Sequence, residues 1–230
     1  MNGYLKFYIL QGMLSDRYIS EIKDAGKGRA FVIVYESEIY KRMAELLSEE
    51  ISASTRCLLL RSSEITDFNW REASAELQNF LLQKSLRQAS FVAFAAASSL
   101  VMHMALCDLK QVRSLTLIDA CTRPHPTLAQ RFIDRVESFL PLGLPLRSKD
   151  KGFDAKAFLQ RLRCPILVLV SSNAGLYARS QAEIFKKGLP TAWSLELGSA
   201  NQSQELKELI LDFQKVPAKC PQKNANGGNF

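Results

Sequence analysis

Short apolar runs separated by amphipathic stretches constrain this chain more than any other feature. Residues 30–35 read Ala-Phe-Val-Ile-Val-Tyr, and residues 114–119 read Ser-Leu-Thr-Leu-Ile-Asp. Runs of this length without polar alternation describe strands buried on both faces of a sheet. Cys57–Leu60, Phe91–Phe94, Pro165–Val170 and Ala192–Leu197 supply further strands, and Tyr4–Leu10 with Asp16–Lys23 reads as a leading pair ahead of a turn at 25–28. Between the strands, apolar residues recur at helical spacing. Tyr40–Glu50 carries Tyr40, Met43, Ala44, Leu46 and Leu47. Asn69–Leu86 carries Trp70, Ala73, Leu77, Phe80 and Leu81 on one side, with Asp67 as candidate N-cap. Ala97–Cys107, Ser180–Lys187 and Gln204–Phe213 complete the set. Strands alternating with helices predict an α/β fold: a mostly parallel sheet covered by helices on both faces.

After Asp119 the rhythm changes. Thr127–Leu140 is amphipathic, Pro-Leu-Gly-Leu-Pro at 141–145 ends it, and Phe153–Leu162 makes a second short helix. The expected organisation is a single domain over residues 1–214, a small helical lid inserted at about 122–163, and a flexible basic tail at 215–230. The net charge of +7 follows that division. Residues 122–163 carry nine basic and four acidic side chains, the tail three basic and none acidic, while residues 30–121 are slightly acidic. Such asymmetry points to a localised contact surface. The lid sets Arg131 and Arg135 on helices whose other face is Phe132, Val136, Phe139 and Leu140, a surface suited to an acidic protein or an anionic membrane. Nucleic acid is disfavoured, because aromatic residues are not interleaved with the charges.

With 47% hydrophobic and 23% charged residues the chain has ordinary globular composition, which excludes collagen, coiled coil and global disorder. No run reaches the ~18 apolar residues of a membrane span, and the first residues lack the apolar core of a secretory leader. Five cysteines, none at C-x-x-C spacing, argue against a zinc ribbon or a disulfide framework. No metal and no cofactor are expected. The expected location is cytoplasmic, peripheral to a membrane complex at most.

The order of elements, with Ala93–Leu106 leading into Val112–Ala120, resembles the α/β-hydrolase superfamily over roughly residues 3–214. In active members a strand runs into Gly-x-Ser-x-Gly and then a small-residue helix. Laid here without a gap, that pattern puts Ala93 and Ala97 at the glycines and Ala95 at the nucleophile. Small residues keep the sharp turn sterically open, but the hydroxyl is gone. Ser98 and Ser99 fall inside the helix. The resemblance implies an oxyanion turn after Ala30–Tyr35, where Glu36 and Glu38 would oppose a developing negative charge. It implies an acid after Pro165–Val170, where residues 171–177 hold no carboxylate. It implies a base at 198–202, where no histidine stands, and none follows His125.

Four losses together predict a catalytically degenerate member, a pseudoenzyme and not an enzyme. It would serve as a protein-binding or scaffolding subunit of a larger bacterial assembly, docking protein partners through lid and tail. Tyr35, Phe132, Phe139, Arg131 and Arg135 are its candidate binding residues. Two alternatives remain open. One is a small-molecule receptor whose old active-site pocket is lined by Tyr35, Ala95, Leu100, Phe132 and Phe139. The other is a hydrolase with a relocated site around Cys121, His125 and Asp119, since a thiol four residues from an imidazole is a nucleophile–base pair in principle. His103, between Met102 and Met104, reads as a packed or surface helix residue.

Overall fold

Parallel strands buried on both faces need apolar residues at every position, and the computed structural model shows where each set of side chains goes. It describes residues 17–63, 69–108, 110–122, 153–172, 174–189, 192–197 and 202–213. The expected strand Tyr4–Leu10, the cap Asp67, the helix Thr127–Leu140 and the tail lie outside these, as do Arg131, Phe132, Arg135, Phe139 and His125.

Seven strands, β1 (Ile19–Ala25), β2 (Ala30–Tyr35), β3 (Arg56–Ser62), β4 (Ala89–Phe94), β5 (Val112–Ile118), β6 (Ile166–Val170) and β7 (Ala192–Glu196), form one sheet in the order β1-β3-β2-β4-β5-β6-β7. β1 runs antiparallel to β3, and the remaining pairings are parallel. The helices are α1 (Glu38–Ser52), α2 (Trp70–Gln83), α3 (Ala97–Cys107), α4 (Leu176–Gly188) and α5 (Gln202–Phe213).

The pleat sorts the apolar runs into two layers. Val32, Val34, Phe91, Ala93, Leu115 and Leu117 pack with α2, α3 and α4 on one face. Phe31, Ile33, Tyr35, Val92, Phe94 and Ile118 pack with Ala44, Leu47 and Ile51 of α1 and Leu206 and Ile210 of α5 on the other. Tyr35 is 1% exposed within this second layer, and Leu100 is fully buried in the first.

β1 pairs with β3 with a register shift between Glu21 and Lys23. Two local expectations are corrected. Asn69 caps α2, its side-chain oxygen accepting from the Glu72 backbone N–H at 3.4 Å. The second lid helix is a 3₁₀ turn, Ala155–Arg161, capped by Asp154, whose carboxylate accepts from the Lys156 N–H at 2.9 Å.

That turn also closes the inserted stretch. The Ala155 N–H donates to the Thr122 carbonyl at 2.8 Å. Thr122 in turn donates from its N–H and its hydroxyl to Gln181 Oε1 of α4, at 3.0 and 2.8 Å. Residues 123–152 are therefore flanked in the sequence by two residues, Thr122 and Ala155, that bond to each other. Replacing them with a short Gly/Ser linker should leave the domain folded, its thermal midpoint within a few degrees of the full chain by circular dichroism. Gln181→Ala strands two buried donors and should cost about 1–3 kcal/mol in urea unfolding.

Candidate functional site

Ligands of open α/β sheets bind beyond the carboxyl ends of the strands. Two adjacent strands leave that edge here through left-handed backbone. Ala95, after β4, has φ 45°, and Asp119, after β5, has φ 48°. A residue with a Cβ resists this conformation, by ~1–2 kcal/mol, so something must hold each turn. The Ala95 N–H donates to the Ile118 carbonyl and the Asp119 N–H to the Leu169 carbonyl, both at 2.9 Å. Ala93 and Ala97, both fully buried, leave room for the sharp turn between β4 and α3. This is the elbow that the resemblance implies, with a methyl group at its tip.

Ser98 and Ser99 strap the next strand end to the elbow. The Ser99 hydroxyl donates to the Cys121 carbonyl at 3.0 Å. Ser98 Oγ donates to the Ala95 carbonyl and accepts from the Cys121 N–H. Both serines are fully buried and used by backbone, so neither is a nucleophile. The Cys121 thiol points at the elbow, with Sγ 3.7 Å from the Ala95 carbonyl oxygen. Burial pushes that thiol up to about 12; the Ser99 hydrogen bond pulls it down, and the nearby Glu36 charge pushes it up again.

Asp119 joins three elements. Its carboxylate accepts from the Ser171 N–H at 2.8 Å, from the Ser171 hydroxyl at 2.5 Å and from the Tyr40 hydroxyl of α1 at 3.3 Å. Asp119 is 6% exposed, and these donors satisfy its buried oxygens. Burial, then the Asp119 charge and hydrogen bond, drive the Tyr40 hydroxyl far above the ordinary phenol range. The Tyr40 ring lies 5.5 Å from that of Phe94. Tyr40 and Ser171 were not among the residues singled out from sequence. The one available signal was position, since each stands at the carboxyl edge of the parallel strands.

Beside this cluster, at the ends of β2 and β3, is a cleft of about 630 Å³ lined by Glu36, Ser37, Glu38, Arg61, Ser62 and Ser63, with Arg17–Ser20 opposite. Glu38 is paired with Arg61 at 3.0 Å. His103 takes no part. It lies about 12 Å down α3 from the elbow at ~1.5 Å per residue. There its Nδ1 is 2.5 Å from the Ser74 hydroxyl, its ring stands edge-on to Phe153 at 4.8 Å, and burial holds its pKa below the usual 6.5. Among the described residues no group of three His, Cys, Asp or Glu side chains is placed to hold a metal. None of the described helices is long and apolar enough to cross a membrane.

No family model and no curated sequence matches the chain, so the likeness to known proteins is one of shape. The naproxen esterase (carboxylesterase NP) of Bacillus subtilis superposes with a TM-score of 0.63 at 12% identity, covering 91% of this chain and 96% of that one. An esterase from a Rhodococcus species gives 0.65 at 11%, covering 87% and 98%. The meta-cleavage product hydrolase of Pseudomonas fluorescens gives 0.65 at 13%, covering 86% and 94%. At such identity the match carries the fold. The expectation of a non-catalytic scaffold and pseudoenzyme is corrected by these neighbours, which are esterases and hydrolases.

Two measurements test this geometry. Asp119→Ala removes the acceptor for three donors and should destabilise the protein by about 2–3 kcal/mol in urea unfolding. Asp119→Asn, which tolerates the left-handed backbone and keeps an acceptor, should cost less than half as much. Thiol labelling at pH 8, read by mass spectrometry, should modify exposed Cys107 quickly. Cys57, buried and pushed up to about 11, should stay protected until the chain unfolds.

Proposed function

We propose that this chain, whose fold is that of the α/β-hydrolase superfamily, hydrolyses a small carboxylic ester with Cys121 as its nucleophile. The observation that carries the reading is the Cys121 thiol beside the elbow tip, 3.7 Å from the Ala95 carbonyl oxygen. A methyl group at residue 95 leaves the tip free for sulfur chemistry from the neighbouring strand end. The esterases that share the fold lend the substrate class.

The electrostatics dictate how such a site would work. Burial raises the Cys121 pKa well above the ordinary thiol range, so the thiol is protonated at neutral pH. Attack therefore needs a general base that takes the proton as sulfur bonds to the ester carbonyl. His125, three residues beyond the anchored Thr122, is the base in this reading. The sulfur–carbonyl bond forms as the alcohol leaves with the proton, and water then cleaves the thioester to release the acid and restore the thiol. Asp119, held by Tyr40 and Ser171, keeps the floor of the site polar and rigid.

The test is the initial rate of p-nitrophenyl acetate hydrolysis by the full chain and by Cys121→Ala and His125→Gln, each checked for folding by a thermal melt. Turnover above buffer that falls at least ~100-fold in both variants supports the proposal. No turnover, saturable ester binding without turnover, or full activity in Cys121→Ala would overturn it.

A further inference from the structure

The opposite edge of the sheet carries a feature the ester site does not use. β2, β4 and β5 all begin there, and a cation stands at or just before each start: Lys27 and Arg29 ahead of Ala30, Arg87 ahead of Ala89, Lys110 and Arg113 about Val112. The register sets these starts side by side, Ala30 against Ala89 and Ala89 against Val112. With neighbouring strands ~4.8 Å apart, the row spans about 10 Å.

These cations are uncompensated. Among the described residues none of the five makes an ion pair, whereas at the β3 corner Arg56 and Lys84 are taken up by Asp24 and Glu21. The acid nearest the row along the chain, Asp108, accepts from the Lys110 backbone N–H at 3.0 Å. The carbonyl ends of α2 and α3 reach the same edge and favour a nearby cation each. Arg113 donates to the neutral Gln88 Oε1 at 3.4 Å, which leaves its charge in place. Leu82, in the last turn of α2, is 57% exposed.

We propose that this edge docks on an anionic phospholipid bilayer. A row of cations with a protruding apolar side chain fits a charged headgroup layer over hydrocarbon. Single-stranded nucleic acid fits less well, because among the described residues no exposed aromatic ring lies with these cations for bases to stack on. The docking is independent of the ester chemistry at the other edge.

Co-sedimentation of the full chain with mixed phosphatidylglycerol–phosphatidylcholine vesicles tests it. Binding should exceed that to pure phosphatidylcholine and weaken as salt is raised. A basic side chain near such a surface strengthens binding about fivefold, so Arg29→Gln, Arg87→Gln and Arg113→Gln together should weaken it about a hundredfold. The matching Arg→Lys triple should bind as the parent does and controls for folding, since it keeps every charge. The proposal is overturned by absence of binding to anionic vesicles, by equal binding to neutral ones, or by undiminished binding of the glutamine triple. It is equally overturned if Lys215→Gln, Lys219→Gln and Lys223→Gln abolish binding instead, or if duplex DNA of equal charge binds more tightly than the vesicles.

Discussion

Two left-handed turns at adjacent strand ends, Ala95 and Asp119, are what the rest of the carboxyl edge is arranged around. Each needs backbone bonds to a neighbouring strand, and each receives one. Once they are in place, the chain after β5 must run back over the elbow. That brings Cys121 against Ala95 and lets Ser98 and Ser99 of α3 satisfy its peptide groups. The Asp119 carboxylate is carried into the gap between β5 and β6, where Ser171 and Tyr40 close on it. Tyr40 in turn rests on Phe94, the residue just before the elbow. The site is a closed circuit of contacts from one turn to the other.

What was readable in advance follows from how local each signal is. Ala30–Tyr35 and Ala97–Cys107 come out with the boundaries their residues imply. An unbroken apolar run cannot sit anywhere but the sheet centre, and the small-residue helix must start where the strand ends. The partner of β1 was not readable, because strand pairing is settled by packing between distant segments. The Asp119 cluster was hidden for the same reason: its bonds join residues 79 and 52 positions apart, through side chains common everywhere in the sequence. The Asn69 cap differs from the expected one by two positions, since either side chain is chemically able to cap a helix.

The functional reading went astray at a different step. The missing hydroxyl at residue 95 and the missing carboxylate after β6 were read correctly from the residues. The step from there to a molecule without chemistry treated one arrangement as the only one the edge allows. The loop after β5 carries Asp119, bonded to the Tyr40 and Ser171 hydroxyls, and Cys121, whose thiol faces the elbow. Their mutual placement depends on turns that no spacing rule reports. Charge behaves alike: the sequence places its excess in the insertion and tail, yet the cations that the fold lines up belong to the nearly neutral body.

The backbone at residue 95 holds a last consequence, in evolutionary distance. Alanine and serine codons differ by one nucleotide in their commonest forms. The left-handed conformation that a nucleophile at this tip would require is already adopted and already bonded. A lineage carrying this chain could place a hydroxyl there by one base change without refolding the turn. The geometry of the turn does not depend on which side chain it presents, and the chemistry set upon it is the part free to change.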